Sequence, residues 1–232
     1  MSTSGKNKIV TFSFDDGVTQ DRRLVALFDR YGLKGTFNLN SEKFGVEGAA
    51  WVRDVTVTHN KIAPEEVATL YAGHEVAAHT LTHPHLDPLS DEELVREVDE
   101  DRRNLERLSG GEVVGFAYPF GDLGRDGVAP RLIERHTPIR YCRTVRATCA
   151  FDMPKDPWLL DPTVHAIDFD RLEALCDAFI ALQTDETKLF YVWGHAYEFD
   201  HPGYWDRFER FCARIAGRDD IAYLTNREAL GV

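Results

Sequence analysis

Strand-like and helix-like segments alternate along most of the chain, and this order limits the folds open to it. Apolar runs rich in β-branched and aromatic residues predict about seven strands, with candidates starting by Ile9 and at 35–40, 75–80, 113–119, 139–145, 163–167, 188–195 and 221–224. Most are separated by apolar residues at helical spacing, over 19–31, 64–71, 90–108, 131–136, 169–182 and 204–216. Strands that alternate with helices predict a parallel sheet, in either a doubly wound open sheet or a (β/α) barrel.

The composition supports one folded unit. Apolar residues make up 43% of the 232 residues, and no repeat or linker interrupts the pattern, so we predict a single domain over 1–232. A formal net charge of −12 argues against nucleic acid and anionic membrane surfaces as partners. No run approaches the roughly 18 apolar residues of a membrane span. The polar lead MSTSGKNK lacks the apolar core of a secretion signal, so we expect a cytoplasmic protein whose four cysteines are reduced thiols.

Polar residues capable of chemistry follow several of the predicted strands. They are Asp15 and Asp16, the segment 79–83, the segment 119–122, and His195. The carboxyl ends of parallel strands share one face of a sheet or barrel, and sites are built there. The pattern therefore predicts one site assembled from distant parts of the chain.

The stretch IVTFSFDDG over 9–17 ends a buried strand on two adjacent carboxylates and a glycine. DG is also an ordinary turn dipeptide, so the motif alone is consistent with a polar turn. Adjacent strand residues point to opposite sides, which makes Asp15 and Asp16 unsuited to chelating one ion together. One can instead bind a metal ion while the other accepts a proton from water, and the cation offsets their repulsion.

HTLTH over 79–83 places two imidazoles four residues apart. On a helical turn His79 and His83 lie on one face, at a separation that suits a single metal ion. A polar loop with incidental histidines is the alternative interpretation. Two neutral histidines and one carboxylate form a three-ligand site with an open position, as in hydrolytic zinc centres.

SFDDG, HTLTH followed by PHL, YPFGD and a late strand ending in His195 occur in that order between Ile9 and about Asp200. Together they resemble the polysaccharide deacetylases of the chitooligosaccharide deacetylase homology family. The resemblance implies a distorted (β/α) barrel with one divalent metal ion, commonly zinc, although this donor set also accepts cobalt, nickel or iron. It implies these roles: Asp15 as general base, Asp16, His79 and His83 as metal ligands, Phe120 as backbone N–H donor to the oxyanion, and His195 as general acid.

The base lacks its usual partner in the family pattern. An arginine two residues before Pro119 normally pairs with the base aspartate, and here that position is Ala117. Arg143, near the end of the 139–145 strand, is our candidate to orient Asp15 instead. A surface or inter-loop ion pair is the alternative role for Arg143.

The surroundings of the acid are less defined. The family's aspartate and tryptophan near the acid histidine have no clean match, and three residues compete for that place: Trp158, Asp161 and Asp168. Three roles are open for Glu198: it holds His195 in place, it lines the site, or it is a plain surface carboxylate. His165 and His74 are expected to be structural histidines. Five further aromatic or histidine side chains have two alternative roles, to form a substrate wall or simply to pack. They are Trp51, His59, Tyr191, Trp193 and Tyr197.

These observations predict a metal-dependent amide hydrolase that removes an acetyl group from an N-acetylated sugar or glycan. The expected absence of secretion favours a small substrate, which supports an alternative with the same fold, hydrolysis of a cyclic imide or a ureide such as allantoin. A catalytically inert carbohydrate-binding module is a third hypothesis, disfavoured by the complete set of polar residues. The expected partner is a small-molecule or oligosaccharide substrate.

Overall fold

The computed structural model describes residues 6–232 of the chain. Its strands are β1 (Lys8–Asp15), β2 (Gly35–Leu39), β3 (Ala49–Val52), β4 (Val55–Thr58), β5 (Glu75–Ala78), β6 (Gly115–Ala117), β7 (Tyr141–Arg143), β8 (Val164–His165), β9 (Lys188–His195) and β10 (Ile221–Tyr223). Its α-helices are α1 (Asp21–Tyr31), α2 (Val67–Leu70), α3 (Asp91–Ser109), α4 (Ala129–His136), α5 (Phe169–Ala181), α6 (Tyr204–Ile215) and α7 (Asn226–Leu230).

The parallel strands form one curled sheet, which confirms the predicted distorted (β/α) barrel. Seven of them follow the order β7-β6-β5-β2-β1-β9-β8, and β10 also pairs with β1. Along one edge of β1, the amino-terminal part (Lys8–Val10) pairs with β10 and the carboxyl-terminal part (Phe12–Asp15) pairs with β2. On the other edge β1 pairs with β9 along its whole length.

The segment before β8 links the two edges of this sheet. The Leu160 N–H donates to the Cys142 carbonyl of β7 at 2.9 Å, and the Thr144 N–H donates to the Leu160 carbonyl at 2.9 Å. A little further on, the Thr163 N–H donates to the Tyr191 carbonyl of β9 at 2.8 Å. This segment therefore holds the curled sheet in its barrel shape.

Side chains of β1 alternate between an aromatic core and a polar barrel interior. Phe12 packs on Phe28 of α1, with ring centroids 4.7 Å apart, and Phe14 packs on Phe208 of α6 at 6.0 Å. Burying a ring of this size contributes about 2–3 kcal/mol. The intervening Ser13 accepts a hydrogen bond from the amide of Asn38 at 2.8 Å on the opposite face. This alternation fixes β1 and directs Asp15, the next residue on the Ser13 face, into the barrel.

Several predicted boundaries differ from the structure. The segment after β2, where no strand was predicted, contains the antiparallel hairpin β3–β4. The predicted strand 139–145 is paired only over Tyr141–Arg143, and the predicted helix 64–71 is a 3-10 turn (Pro64–Glu66) followed by α2. Apolar composition marks these segments but does not show where ladder pairing stops.

Ser90 and Thr225 each cap the helix that follows, with a glutamate at the third helical position completing the capping box. All four cysteines are free thiols, and Cys149 is the exposed one. Within residues 6–232 no helix combines the length and apolar character needed to cross a membrane.

Candidate active site

The end of β1 separates the two adjacent carboxylates. Asp15 is the last strand residue, whereas Asp16 adopts a left-handed backbone with φ of 85° and Gly17 follows with φ of 60°. The Asp16 N–H donates to the Asn38 carbonyl at 2.9 Å, which fixes the bend. The two side chains consequently have different partners, as the sequence predicted.

The HTLTH segment is not helical, and the expectation of a helical turn was wrong. After β5 ends at Ala78, Thr80 has φ of 68° and His83 has φ of 59°. The His83 N–H donates to the Thr80 hydroxyl at 3.2 Å. Two residues with left-handed backbone conformation, and not a helical turn, therefore bring the two imidazoles together.

Asp16, His79 and His83 converge on one point. One ligand atom from each lies within 4.8 Å of the other two. The two Nε2 atoms are 3.1 Å apart, and His83 Nε2 is 3.6 Å from Asp16 Oδ1. His79 Nδ1 is 2.8 Å from the carbonyl of Ala117, a distance at which it donates a proton and leaves Nε2 as the free nitrogen.

The electrostatics of this group fit a divalent cation. Burial lowers the pKa of His79, and burial together with the neighbouring His79 lowers the pKa of His83 to about 3, so both rings are neutral. For Asp16, burial raises the pKa, but the contacts with His59 and Lys61 outweigh it and hold the pKa well below its usual value. Two neutral imidazoles and one carboxylate are the donor set of open zinc-type sites.

Asp15 is enclosed by polar groups from four parts of the barrel. Its Oδ2 pairs with Nη2 of Arg143, and its Oδ1 accepts a hydrogen bond from Asn38 Nδ2 at 2.7 Å. Nε2 of His79 and Nε2 of His195 each lie 3.9 Å from Oδ2. Burial raises the pKa of Asp15, and the Arg143 guanidinium, with the two histidines, outweighs this and lowers the pKa below its ordinary value.

Arg143 reaches Asp15 from the strand beside Ala117. The two residues are register partners in β7 and β6. The Arg143 side chain is fully buried, its Cζ lies 4.7 Å from the Trp193 ring centroid, and its Nη1 donates to the Thr144 carbonyl at 3.0 Å. The contact that we expected between Arg143 and Asp15 is therefore present, and the alternative of a surface ion pair is not what the structure shows.

His195 lies opposite Asp15 in the β1–β9 ladder. Glu198 holds it from the following 3-10 turn: its Oε2 accepts the His195 N–H at 3.0 Å and lies 3.3 Å from His195 Nδ1. The same oxygen is 3.1 Å from Nε2 of His165. Burial lowers the pKa of His195, but the Glu198 carboxylate outweighs it and raises the pKa to about 9.

The three residues that competed for the missing motif have other contacts. Asp161 pairs with Arg146, and Asp168 pairs with Arg171. The carbonyl of Trp158 accepts from the Tyr118 hydroxyl at 3.0 Å. Within the described part of the chain, the carboxylate beside His195 Nδ1 is that of Glu198.

Phe120 lies in a tight turn at the end of β6, with φ of 58°. In this turn Pro119 has no N–H, and the Gly121 N–H donates to the Tyr118 carbonyl at 3.0 Å. The Phe120 N–H is thus the remaining donor of the turn. Its half-exposed ring stacks on His85, with centroids 4.1 Å apart, at the edge of the site.

These groups surround a cavity of about 620 Å³. Its floor contains the ligand group, Asp15 and His195, and one wall comes from residues 43–50 with His59 and Lys61. Trp193 and Tyr197 line it, whereas Tyr191 is buried below, where its hydroxyl accepts from Asn226 at 2.7 Å. His74 also lies outside the site and accepts the Gly35 N–H at 3.1 Å.

Residues 2–132 match the family model of the polysaccharide deacetylases. The chain belongs to this family. No curated protein matches it. A Mycobacterium smegmatis protein assigned as a polysaccharide deacetylase aligns over 100% of this chain and 92% of its own, with TM-score 0.69 and 16% identity.

Two other solved structures share the fold at similar identity. A family 4 carbohydrate esterase from Streptomyces lividans, in complex with acetate, aligns over 94% of this chain and 92% of its own, with TM-score 0.58 and 16% identity. BA3943 from Bacillus anthracis, a CE4 family pseudoenzyme, aligns over 97% of this chain and 66% of its own, with TM-score 0.56 and 17% identity. The shared fold thus occurs in both a carbohydrate esterase and a pseudoenzyme.

Three residues that contact the site of this deacetylase family member were not predicted from the sequence. They are Asn38, Lys61 and Asp101. Asn38 interrupts a buried strand, and Asp101 lies on the apolar stripe of α3, where it accepts the His79 N–H at 2.9 Å. A polar residue at a core position was the available signal for these two. Lys61 belongs to no motif, and the segment after the hairpin brings it to Asp16. His59, expected either to form a substrate wall or to pack, lines the cavity and contacts Asp16.

Proposed function

We propose that this chain is a metal-dependent amide hydrolase that removes the acetyl group of an N-acetylated sugar or glycan. The observation that carries the proposal is the position of Asp15 Oδ2, which is 3.9 Å from Nε2 of His79 and equally far from Nε2 of His195. A buried carboxylate therefore adjoins both the ligand group and a second imidazole. Membership in the polysaccharide deacetylase family supports this reaction class.

Asp16, His79 and His83 are the residues that would hold the metal ion, zinc or another ion of similar preference. When bound, such an ion polarises the acetyl carbonyl and lowers the pKa of water. The remaining chemistry belongs to side chains and backbone of the protein.

Asp15 and His195 have opposite protonation states near neutral pH. The lowered pKa of Asp15 keeps it ionised, so it can accept a proton from the attacking water. The pKa of about 9 keeps His195 protonated, so it can donate a proton to the leaving nitrogen. Water oxygen bonds to the acetyl carbon, the C–N bond breaks, and the products are acetate and a free amine.

Arg143, Asn38 and Phe120 support these steps. Arg143 and Asn38 fix both oxygens of Asp15 and leave it little freedom to turn away. In the proposed reaction the Phe120 N–H donates to the oxygen on which negative charge develops. In this scheme Glu198 orients His195 and keeps it protonated.

A second candidate is hydrolysis of a cyclic imide or a ureide such as allantoin. It is favoured by the two aromatic side chains, Trp193 and Tyr197, that line the cavity. A pocket of this volume accepts a small ring as well as part of a glycan. The active groups would be the same.

One assay separates these candidates. Purified protein supplemented with Zn²⁺ or Co²⁺ is offered N-acetylglucosamine oligomers, cyclic imides and allantoin. Acetate release supports the deacetylase, whereas ring opening supports the second candidate. If metal-loaded protein turns over none of these substrates, the result supports the third hypothesis, an inert carbohydrate-binding module.

A further inference from the structure

Two cationic or potentially cationic side chains contact Asp16 and have no part in the proposed reaction. Nε2 of His59 lies 3.0 Å from Asp16 Oδ2. Nζ of Lys61 lies 3.2 Å from Asp16 Oδ1 and donates to the Asp16 backbone carbonyl at 2.7 Å. Both residues come from the segment that follows the hairpin β3–β4, which lies outside every motif of the sequence.

Lys61 contacts the same oxygen that faces the ligand group. Asp16 Oδ1 is 3.6 Å from Nε2 of His83 and 3.2 Å from the Lys61 ammonium. The Lys61 side chain is only 4% exposed, so water screens its charge weakly. Any divalent ion held by this oxygen therefore shares it with a fixed positive charge.

The backbone fixes Lys61 at this place. The Ile62 N–H donates to the Gly17 carbonyl at 3.0 Å, and the Lys61 N–H donates to the Val46 carbonyl at 2.9 Å. Lys61 also forms an antiparallel bridge with Val18, two residues beyond Asp16. These backbone contacts and the burial of its side chain hold the Lys61 ammonium beside Asp16.

A buried ammonium needs an anionic partner, and a buried carboxylate needs a cationic one. Lys61 provides that partner for Asp16, whose left-handed backbone it also fixes through the carbonyl. A nearby like charge, however, disfavours a second cation on the same carboxylate. The two effects oppose each other once a metal ion binds.

We propose that Lys61 is a built-in counter-cation of Asp16, which holds the ligand in position before metal binds and lowers the affinity of the site for divalent cations. This inference rests on the metal site of the proposed function. It assigns Lys61 as a positioning residue that makes the bound ion exchangeable. The charge of Lys61, and not its size, is the property that matters.

Metal binding itself tests the inference, without an activity readout. Chelator-stripped protein is titrated with Co²⁺, followed by its absorbance spectrum, and the bound Co²⁺ is then displaced with Zn²⁺. Lys61→Gln removes the charge but keeps a donor for the Asp16 carbonyl, and Lys61→Met is a second neutral variant. Lys61→Arg keeps the charge. Lys43→Gln neutralises another lysine that lines the cavity and makes no contact with Asp16 in the described structure.

We expect Lys61→Gln and Lys61→Met to bind Co²⁺ at least about tenfold more tightly than the wild type. Lys61→Arg and Lys43→Gln should stay within about threefold of it. Equal or weaker binding by the neutral variants overturns the inference, as does the same gain in Lys43→Gln or Lys61→Arg. A wild-type protein that binds no metal overturns the metal site of the proposed function as well.

Discussion

Ala117 and Arg143 are direct neighbours across the parallel strands β6 and β7. Residues opposite each other in a sheet point to the same face, so Arg143 occupies the barrel interior next to the position that an arginine at 117 would use. From there its guanidinium meets Asp15. The positive charge beside the base is present, although it comes from a different strand.

Replacing Arg143 with alanine should raise the pKa of Asp15, because burial then acts without its main opposing charge. The acidic limb of the kcat/KM profile, which follows protonation of the base, should move upward by about 1–3 pH units. Activity at neutral pH should fall about 100-fold. Arg146→Ala, which removes an exposed arginine paired with Asp161, should leave the profile in place.

The register also predicts a rescue. The double variant Ala117→Arg with Arg143→Ala returns the guanidinium to the family's usual position and should recover part of the lost activity. Recovery should include a return of the acidic limb toward its wild-type pH. A double variant that folds but stays as impaired as Arg143→Ala would contradict the equivalence of the two positions.

Glu198→Gln should lower the pKa of His195 from about 9 toward its ordinary value, since the opposing carboxylate is lost and burial remains. His195 must be protonated to act as an acid, so the basic limb of the kcat/KM profile should move to lower pH by about 1–2 units. Histidine NMR titration measures the same change directly. Glu186→Gln, on the surface, is the control, and an unmoved basic limb would exclude His195 as the acid.

Removal of His79 or His83 should abolish metal retention. Either alanine variant leaves only two of the three converging ligands. We expect the affinity for Zn²⁺ to fall at least about 100-fold, so that little zinc remains bound after dialysis. His85→Ala is the matched control, because this neighbouring histidine stacks on Phe120 and is not one of the three. Stoichiometric zinc in His79→Ala would contradict the assignment.

Gly121→Ala should be more damaging than Gly127→Ala. Both glycines have positive φ, 70° and 69°, so both variants carry a backbone penalty of about 1 kcal/mol. A Cβ at Gly121 would lie 2.4 Å from Val145 Cγ2, whereas a Cβ at Gly127 meets nothing within 4 Å. Denaturant unfolding should show an extra loss of about 1–3 kcal/mol for Gly121→Ala, with reduced turnover because the Phe120 turn moves.

The alternation of strands and helices followed from patterns that are local in sequence. The choice of a barrel over an open doubly wound sheet came from the family resemblance, and the spatial order of the strands was not predicted. The residues 188–195 form β9 with the predicted bounds because an uninterrupted apolar run, ended by a polar residue, defines a buried parallel strand. The hairpin β3–β4 was missed since its strands are short and mostly exposed, which leaves weak apolar alternation.

The sequence predicted the candidate site residues whose side-chain chemistry suits the proposed reaction, but not all of their contacts. Asp15, Asp16, His79, His83 and His195 are the residue types that the reaction needs, and they follow strands that share one face. The contact of Glu198 with His195 was one of three roles open for this residue. The sequence did not decide among them, because Glu198 reaches His195 through a 3-10 turn and not through a motif. The position of Lys61 could not be predicted either, because it depends on a bridge to Val18 that no sequence periodicity indicates.

Asp15 and His195 are register partners although 180 positions separate them along the chain. The ladder between β1 and β9 closes a very large loop, and contacts of this kind slow folding. During synthesis Asp15 therefore leaves the ribosome long before His195 does. A nascent or prematurely terminated chain that lacks β9 therefore cannot bring the Asp15 carboxylate and the His195 imidazole together.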